Sequence, residues 1–217
     1  MSQILTLVGI STLQTLEMVL FSTLFSMVIG FPLGVLLYST NSMGITPRPI
    51  LNQVLSRIVN VLRSFPFIIL MILLFPLSRL ILGTSIGTTA TIIPLSIAAA
   101  PFVARLVETA LLEVDPGMIQ AARAMGSTNS QIIYKVLIPE SMPSLVSGIT
   151  LTIINLIGYS AMAGTIGGGG LGDLAIRYGY QRFRPDVMAA SVVVIIAMVE
   201  VIQFIGTRIA NRMLANR

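Results

Sequence analysis

Apolar positions along the chain gather into five long runs, at residues 16–38, 61–81, 89–107, 145–166 and 187–207, separated by shorter polar stretches. A bilayer core of about 30 Å needs roughly 20 apolar residues in a helix to cross it. Each run is therefore read as a membrane-spanning helix. The second run holds a charge-free stretch, 64–78, that is shorter than the core, so Arg63 and Arg79 are expected to snorkel at its ends. Pro32, Pro66, Pro76, Pro94 and Pro101 fall in or beside these spans. Such prolines are tolerated where neighbouring helices satisfy the freed backbone groups. Kinks that aid packing and kinks that bend helices around a pathway are equally compatible with the pattern.

Composition strengthens this reading. Hydrophobic residues make up 55% of the 217 positions and charged residues only 10%, against about 25% charged in a soluble domain. Mean hydropathy is +0.94. The length suits a single all-α transmembrane domain over residues 1–217. There is no cysteine and no histidine. Disulfides, thiolate catalysis and Cys-type zinc sites are excluded, and the usual neutral-pH acid/base is missing. No metal site or catalytic group is expected.

The net charge of +5 orients the spans better than it suggests nucleic acid. No Lys or Arg precedes the first run, whereas Arg48, Arg57 and Arg63 follow it. The N-terminus also lacks the basic segment of a signal peptide. The positive-inside rule then places the N-terminus outside and the 39–60 loop in the cytoplasm. Five spans bring the C-terminus, with Arg208, Arg212 and Arg217, to the cytoplasmic side. Arg177, Arg182 and Arg184 fall on the outer side against the rule, with Asp173 and Asp186 nearby.

One polar stretch, residues 115–139, interrupts the apolar pattern with sharp helix signals. Asp115-Pro116 reads as an N-cap followed by proline at the first helical position. A short helix is expected from Pro116 to Met125, with Gly126 as the residue that ends it. Thr128 and Gln131 read as a capping box opening a second helix, expected to end at about Ile138, before Pro139. The first helix is rich in small residues (Gly117, Ala121, Ala122, Ala124), and Met118, Ile119, Ala122 and Met125 form an apolar stripe at helical spacing. A DNA-binding helix–turn–helix is set aside, because only Arg123 and Lys135 are available to meet phosphates. A plain joint between two spans and a helix presented to a cytoplasmic partner both remain open on these grounds.

The spacing of this stretch resembles the cytoplasmic signature of permease subunits of bacterial ABC importers, EAA-x3-G-x9-I-x-LP. Gln120-Ala121-Ala122 stands at EAA, Gly126 at the glycine, Val136 at the isoleucine, and Ile138-Pro139 at LP. Gln120 lacks the charge of the family's Glu. "NVLRSFPFIIL" (60–70), "AAPFVARLVETALLEV" (99–114) and "GYSAMAGTIGGGGLGDLAIRYGY" (158–180) are similar to the methionine-import branch of that superfamily.

The resemblance implies the type I importer permease fold in a bacterial inner membrane. It also implies a homodimer, two separate ATP-binding subunits that hold the ATP and Mg²⁺, and a substrate-binding lipoprotein delivering D- or L-methionine. This chain would carry no cofactor. Pro116, Gly117, Met118, Ile119, Gln120, Ala121, Ala122, Arg123, Ala124, Met125, Gly126 and Pro139 would form the coupling segment, with the second helix passing its motion into the fourth span.

"GTIGGGGLGD" contains a literal G-x-G-x-x-G at Gly167, Gly169 and Gly172. It follows a membrane helix rather than a strand and has no P-loop lysine, so it is read as a flexible outer loop or re-entrant segment. Asn155, Tyr159, Ser160 and Met162 on the fourth run are candidates for a pathway wall, with helix packing as the plainer reading. Arg105 and Glu108, three apart, are expected to pair. Glu200 is the carboxylate well inside a span. It supports the rival reading of a proton-coupled transporter; another amino acid or a small peptide is the rival cargo.

Overall fold

The structure, a computed structural model, describes residues 2–215. Among them there is no strand; the elements are helices α1 (Ser2–Thr40), α2 (Pro49–Ser64), α3 (Phe67–Leu82), α4 (Thr88–Leu112), α5 (Pro116–Ala124), α6 (Asn129–Ile132), α7 (Ile138–Gly164), α8 (Gly170–Leu174) and α9 (Pro185–Ala215). Two π-helical turns, Ile133–Leu137 and Ala175–Tyr180, join α6 to α7 and extend α8.

The helices satisfy themselves as an apolar solvent demands. Hydroxyls of Thr12, Thr23, Ser96, Thr152 and Ser191 donate to the carbonyl four residues back in their own helix. No buried side-chain nitrogen or oxygen among the described residues lacks a partner. In hydrocarbon an unpaired polar group costs several kcal/mol, so each hydroxyl takes the nearest spare acceptor.

Four helical stretches are long and apolar enough to cross a bilayer: Ile4–Thr40, Thr88–Leu112, Asn129–Gly164 and Pro185–Ala215. The expected second span, 61–81, is not a straight helix. It is broken between α2 and α3, whose axes differ by 103°. Proline explains the break: Phe65, ahead of Pro66, is held extended at φ −67°, ψ 129°, because the ring of Pro66 disfavours helical backbone before it. Residues 61–64 belong to α2, an amphipathic helix inside the segment expected to be a loop. The first span is also longer than expected. It starts at Ser2 rather than Leu16, with no helix-breaking residue in between, and its 39 residues extend about 58 Å at 1.5 Å per residue.

Helix α4 is central. It packs along α1 at very close range: a Cβ on Gly34 would lie 2.6 Å from the Ala104 carbonyl oxygen and from Val107 Cβ, and one on Gly30 2.5 Å from the Ala100 oxygen. Small residues on facing helices let backbones approach in membranes, where water supplies no driving force between helices. Ser78 on α3 donates to the Ala90 carbonyl at 3.0 Å, and α7 lies against both α4 and α9.

The bundle thus has two ends. One carries the α3–α4 turn and the glycine loop, joined by a Gly87 N–H to Gly167 carbonyl bond of 3.0 Å. The other carries the 41–48 turn, α5 and α6.

Candidate functional site

Helix α5 forms where its caps require. The Asp115 carboxylate accepts from the Gly117 N–H at 2.7 Å, Pro116 occupies the first turn, and Gly126 follows at φ +79°. The capping box is complete: Gln131 N–H donates to Thr128 Oγ1 at 3.3 Å, and Thr128 N–H to Gln131 Oε1 at 2.8 Å.

The second helix of the hairpin does not stop before Pro139 as expected. It continues through a π turn into α7, giving one helical stretch from Asn129 to Gly164. Pro139 has no N–H, and its ring would press on the carbonyl four residues back. The π turn relieves this by widening the ladder, with Ile138 N–H reaching the Ile133 carbonyl five residues back. α6 and α7 are thereby one continuous helical stretch.

The apolar stripe expected on α5 divides in two. Ile119 and Ala122 turn inward, into a cluster with Tyr38, Ile45, Leu111, Val114, Ile132 and Leu137. Met118 and Met125 point outward, 41% and 79% exposed. Pro116, Gly117, Gln120, Ala121 and Ala124 are exposed with them, as is Pro139. The exposed side is mostly small or flexible apolar surface, a shape that lets a partner approach the helix backbone. Arg123 reaches back, its guanidinium donating to the Ile45 carbonyl at 3.1 Å. Val136 and Ile138, the apolar members of the spaced pattern, pack on the same internal cluster.

On α7, Asn155 and Met162 share an exposed face, while Tyr159 is half-buried and stacks on Phe67 of α3 at 4.5 Å between ring centres. Ser160 is turned away from them. It is 2% exposed, and its hydroxyl donates to the Ile157 carbonyl at 2.7 Å.

The glycine segment is packed rather than flexible. Gly170, Leu171, Gly172 and Leu174 are buried. A Cβ on Gly172 would lie 2.2 Å from the Ala161 carbonyl oxygen, so only glycine permits this contact of α8 with α7. Helix α1 ties the segment down: Gln14 Oε1 accepts from Gly170 N–H at 3.0 Å and Thr15 Oγ1 from Leu171 N–H at 2.9 Å. The basic residues here are largely neutralised locally. Arg177 pairs with Asp173 at 2.6 Å, Arg184 with Asp186 at 2.8 Å, and Arg182 sits over the Tyr178 ring.

Arg105 does more than its i,i+3 spacing to Glu108 announces. It pairs with the buried Glu108 at 2.6 Å as expected, but it also donates to the Ser56 carbonyl at 3.2 Å and Asn60 Oδ1 at 3.1 Å. It therefore pins α2 to α4. The four-residue spacing of Gly30 and Gly34 was the sequence signal for the α1–α4 contact.

A bundle of membrane-length helices packed about α4, with one broken span and a capped, exposed helix at one end, defines a multi-pass transport permease of the type I ABC importer fold. The model for binding-protein-dependent transport system inner membrane components matches residues 30–215, and the chain belongs to that family. It is similar to the probable D-methionine transport system permease protein MetI of Vibrio cholerae, 50% identical over 202 residues covering 93% of this chain and 90% of that one. It is also 50% identical to the methionine import system permease protein MetP of Bacillus subtilis, over 81% of this chain and 79% of the relative. Among solved structures, a chain of the MetNI methionine ABC transporter in an inward-facing conformation matches with TM-score 0.96 and 46% identity, over 98% of this chain and 99% of that one. An amino acid ABC transporter crystallised with histidines shares the fold at TM-score 0.74 and 20% identity.

Proposed function

We propose that this chain is the membrane permease of an ATP-driven importer of D- and L-methionine. Two copies form the pathway, and two separate ATP-binding subunits hydrolyse the ATP. A substrate-binding lipoprotein supplies methionine at the outer face. The broken pair α2–α3 counts as one of five spans, so the N-terminus is outside and the C-terminus inside. The α5 end of the bundle, with Arg208 and Arg212 of α9, is then cytoplasmic, in keeping with the positive-inside rule. The whole chain acts as one permease domain.

The observation that carries this reading is α5 itself. Residues 116–126 present an exposed small-residue face held by caps on a stalk that runs unbroken into α7. ATP-driven closure of the ATPase pair moves the two α5 helices together, and α7 passes the motion to the pathway. Each ligand then favours the state it binds better, which gives alternating access. Asn155, Tyr159 and Met162 line the path, while Ser160 supports the helix from behind. The likeness to methionine permeases at about half identity supports the cargo.

The absence of cysteine makes the test clean. A single cysteine at exposed Ala121 should crosslink to a soluble ATP-binding subunit in native membranes, and one at exposed Ser42 should not. Uptake of labelled methionine by the same complex checks the cargo. An Ala121→Cys protein that transports yet finds no partner sinks the coupling assignment.

A further inference from the structure

A cavity of about 220 Å³ opens at the break between α2 and α3, closed on its other sides by α4 and α7. Arg63 lines it together with Phe65, Phe67, Phe102 and Tyr159. This is smaller than the ~300–1,000 Å³ of pockets for drug-sized ligands, and suits a molecule the size of one amino acid. Phe102 lies near the midpoint of α4, so the cavity opens beside the middle of that helix, with Arg63 and Phe65 exposed at its mouth.

Arg63 was expected to snorkel at a span end. The bend at Pro66 leaves it beside the start of α3, lining the same cavity as Phe102. Its guanidinium makes no hydrogen bond, ion pair or ring contact among the described residues, whereas Arg105, further along α4 than Phe102, is fully engaged with Glu108, Ser56 and Asn60. A cation among membrane-spanning helices is costly unless it faces water or an anion. Among the described residues no carboxylate lines the cavity, so none supplies that anion there. Guanidinium is the group that grips a carboxylate with two parallel hydrogen bonds. The remaining wall is apolar, made of the aromatic rings with Leu62, Leu70 and Ala98. Phe67 and Tyr159 stack nearly parallel, 7° between planes, and present ring edges and faces that favour an aliphatic or thioether side chain.

We propose that this cavity is a substrate station of the permease itself, in which Arg63 holds the α-carboxylate of an amino acid and the Phe67–Tyr159 pair receives its apolar side chain. The inference rests on the importer reading above and adds to it that selectivity is exercised inside the membrane. Substrates without a free carboxylate are rejected here, independently of any binding protein.

The test uses the complex of this chain with its ATP-binding subunits, without binding protein. Ala98→Cys places a thiol on the cavity wall of a chain with no other. Maleimide labelling is read on the permease band alone. L-Methionine should slow labelling at least tenfold, methionine methyl ester should not, Arg63→Gln should abolish the protection, and Arg63→Lys should keep part of it. Arg63→Gln must still assemble and label at the unprotected rate, which separates loss of the site from loss of fold. Equal protection by the ester, or protection that survives Arg63→Gln, overturns the proposal. Methionine uptake by the unsubstituted complex with its binding protein reads the importer assignment separately: uptake without protection overturns the Arg63 station alone, and neither uptake nor protection overturns both.

Discussion

Arg123 of α5 donates to the carbonyl of Ile45, 78 residues earlier, at 3.1 Å. The bond ties the exposed helix to the turn that follows α1, so α5 is braced from two directions: by the α6–α7 stalk and by the 41–48 turn. A hydrogen bond to a charged donor contributes about 1.5–3 kcal/mol. Arg123→Met should leave the subunits assembled while loosening this brace. Exchange of α5 amides with deuterium should speed up, and more ATP should be hydrolysed per methionine imported. Unchanged stoichiometry and unchanged exchange would count against a mechanical role for the bond.

Arg105, held by Glu108 on the same helix α4, forms the polar joint to Ser56 and Asn60 of α2. Glu108 is 5% exposed, so removing its partner leaves a buried charge uncompensated, at a cost of about 3–5 kcal/mol. Arg105→Gln should lower the melting temperature of the purified protein sharply. Arg105→Gln combined with Glu108→Gln should recover a large part of the loss, since two neutral amides can bond each other. Additive losses in the double variant would show that the pair does not act as a unit.

Gly34 lies against α4 with no room for a side chain. Gly34→Val pushes on a backbone carbonyl and a Cβ, neither of which can swing aside, and overpacking of this kind costs about 1–3 kcal/mol or more. Gly9, in the same helix, has nothing within 4 Å of an added Cβ. Gly9→Ala should therefore be neutral or slightly stabilising in the same thermal assay.

Thr15 holds the start of α8 through the Leu171 N–H. Thr15→Val keeps the shape of the side chain and deletes the acceptor, leaving a buried donor unpaired at a cost of about 1–3 kcal/mol. Deuterium exchange at Leu171 should rise while exchange in the middle of α4 stays the same. Protection at Leu171 that survives the substitution would mean that α8 is held by packing alone.

Glu200 lies on the exposed face of α9, away from the contacts of this chain. An importer driven by ATP has no need of a membrane carboxylate that binds and releases protons. Glu200→Gln should leave the methionine uptake rate and its pH profile unchanged. A flattened pH profile would revive the proton-coupled reading.

The hairpin was the most legible part of the chain. Asp115, Pro116, Gly126, Thr128 and Gln131 act within a few residues of themselves, and each sits in the structure as local chemistry requires. The spans were legible as apolar mass but not as geometry. Pro66 was visible as a possible kink, yet nothing local distinguishes a kink inside a span from a 103° break between two helices. Pro139 misled in the opposite direction: it reads as a stop, and a π turn carries the helix past it. The glycines of 167–172 read as freedom, although the backbones of α1 and α7 pack against them.

The all-helical membrane class, the caps of α5 and the spaced pattern of an importer permease are written in the chain itself, because they depend on composition and on contacts a few residues apart. Which side of each helix is spare follows from packing alone. Ala122 and Ala121 are adjacent and chemically identical, yet one is 3% exposed, within the internal cluster that holds Ile132 and Leu137, while the other faces outward. Arg105 and Arg63 are both cations in apolar surroundings, yet one pins two helices and the other faces a cavity. Those outcomes are set by packing between segments tens of residues apart, and no local signal in the chain encodes them.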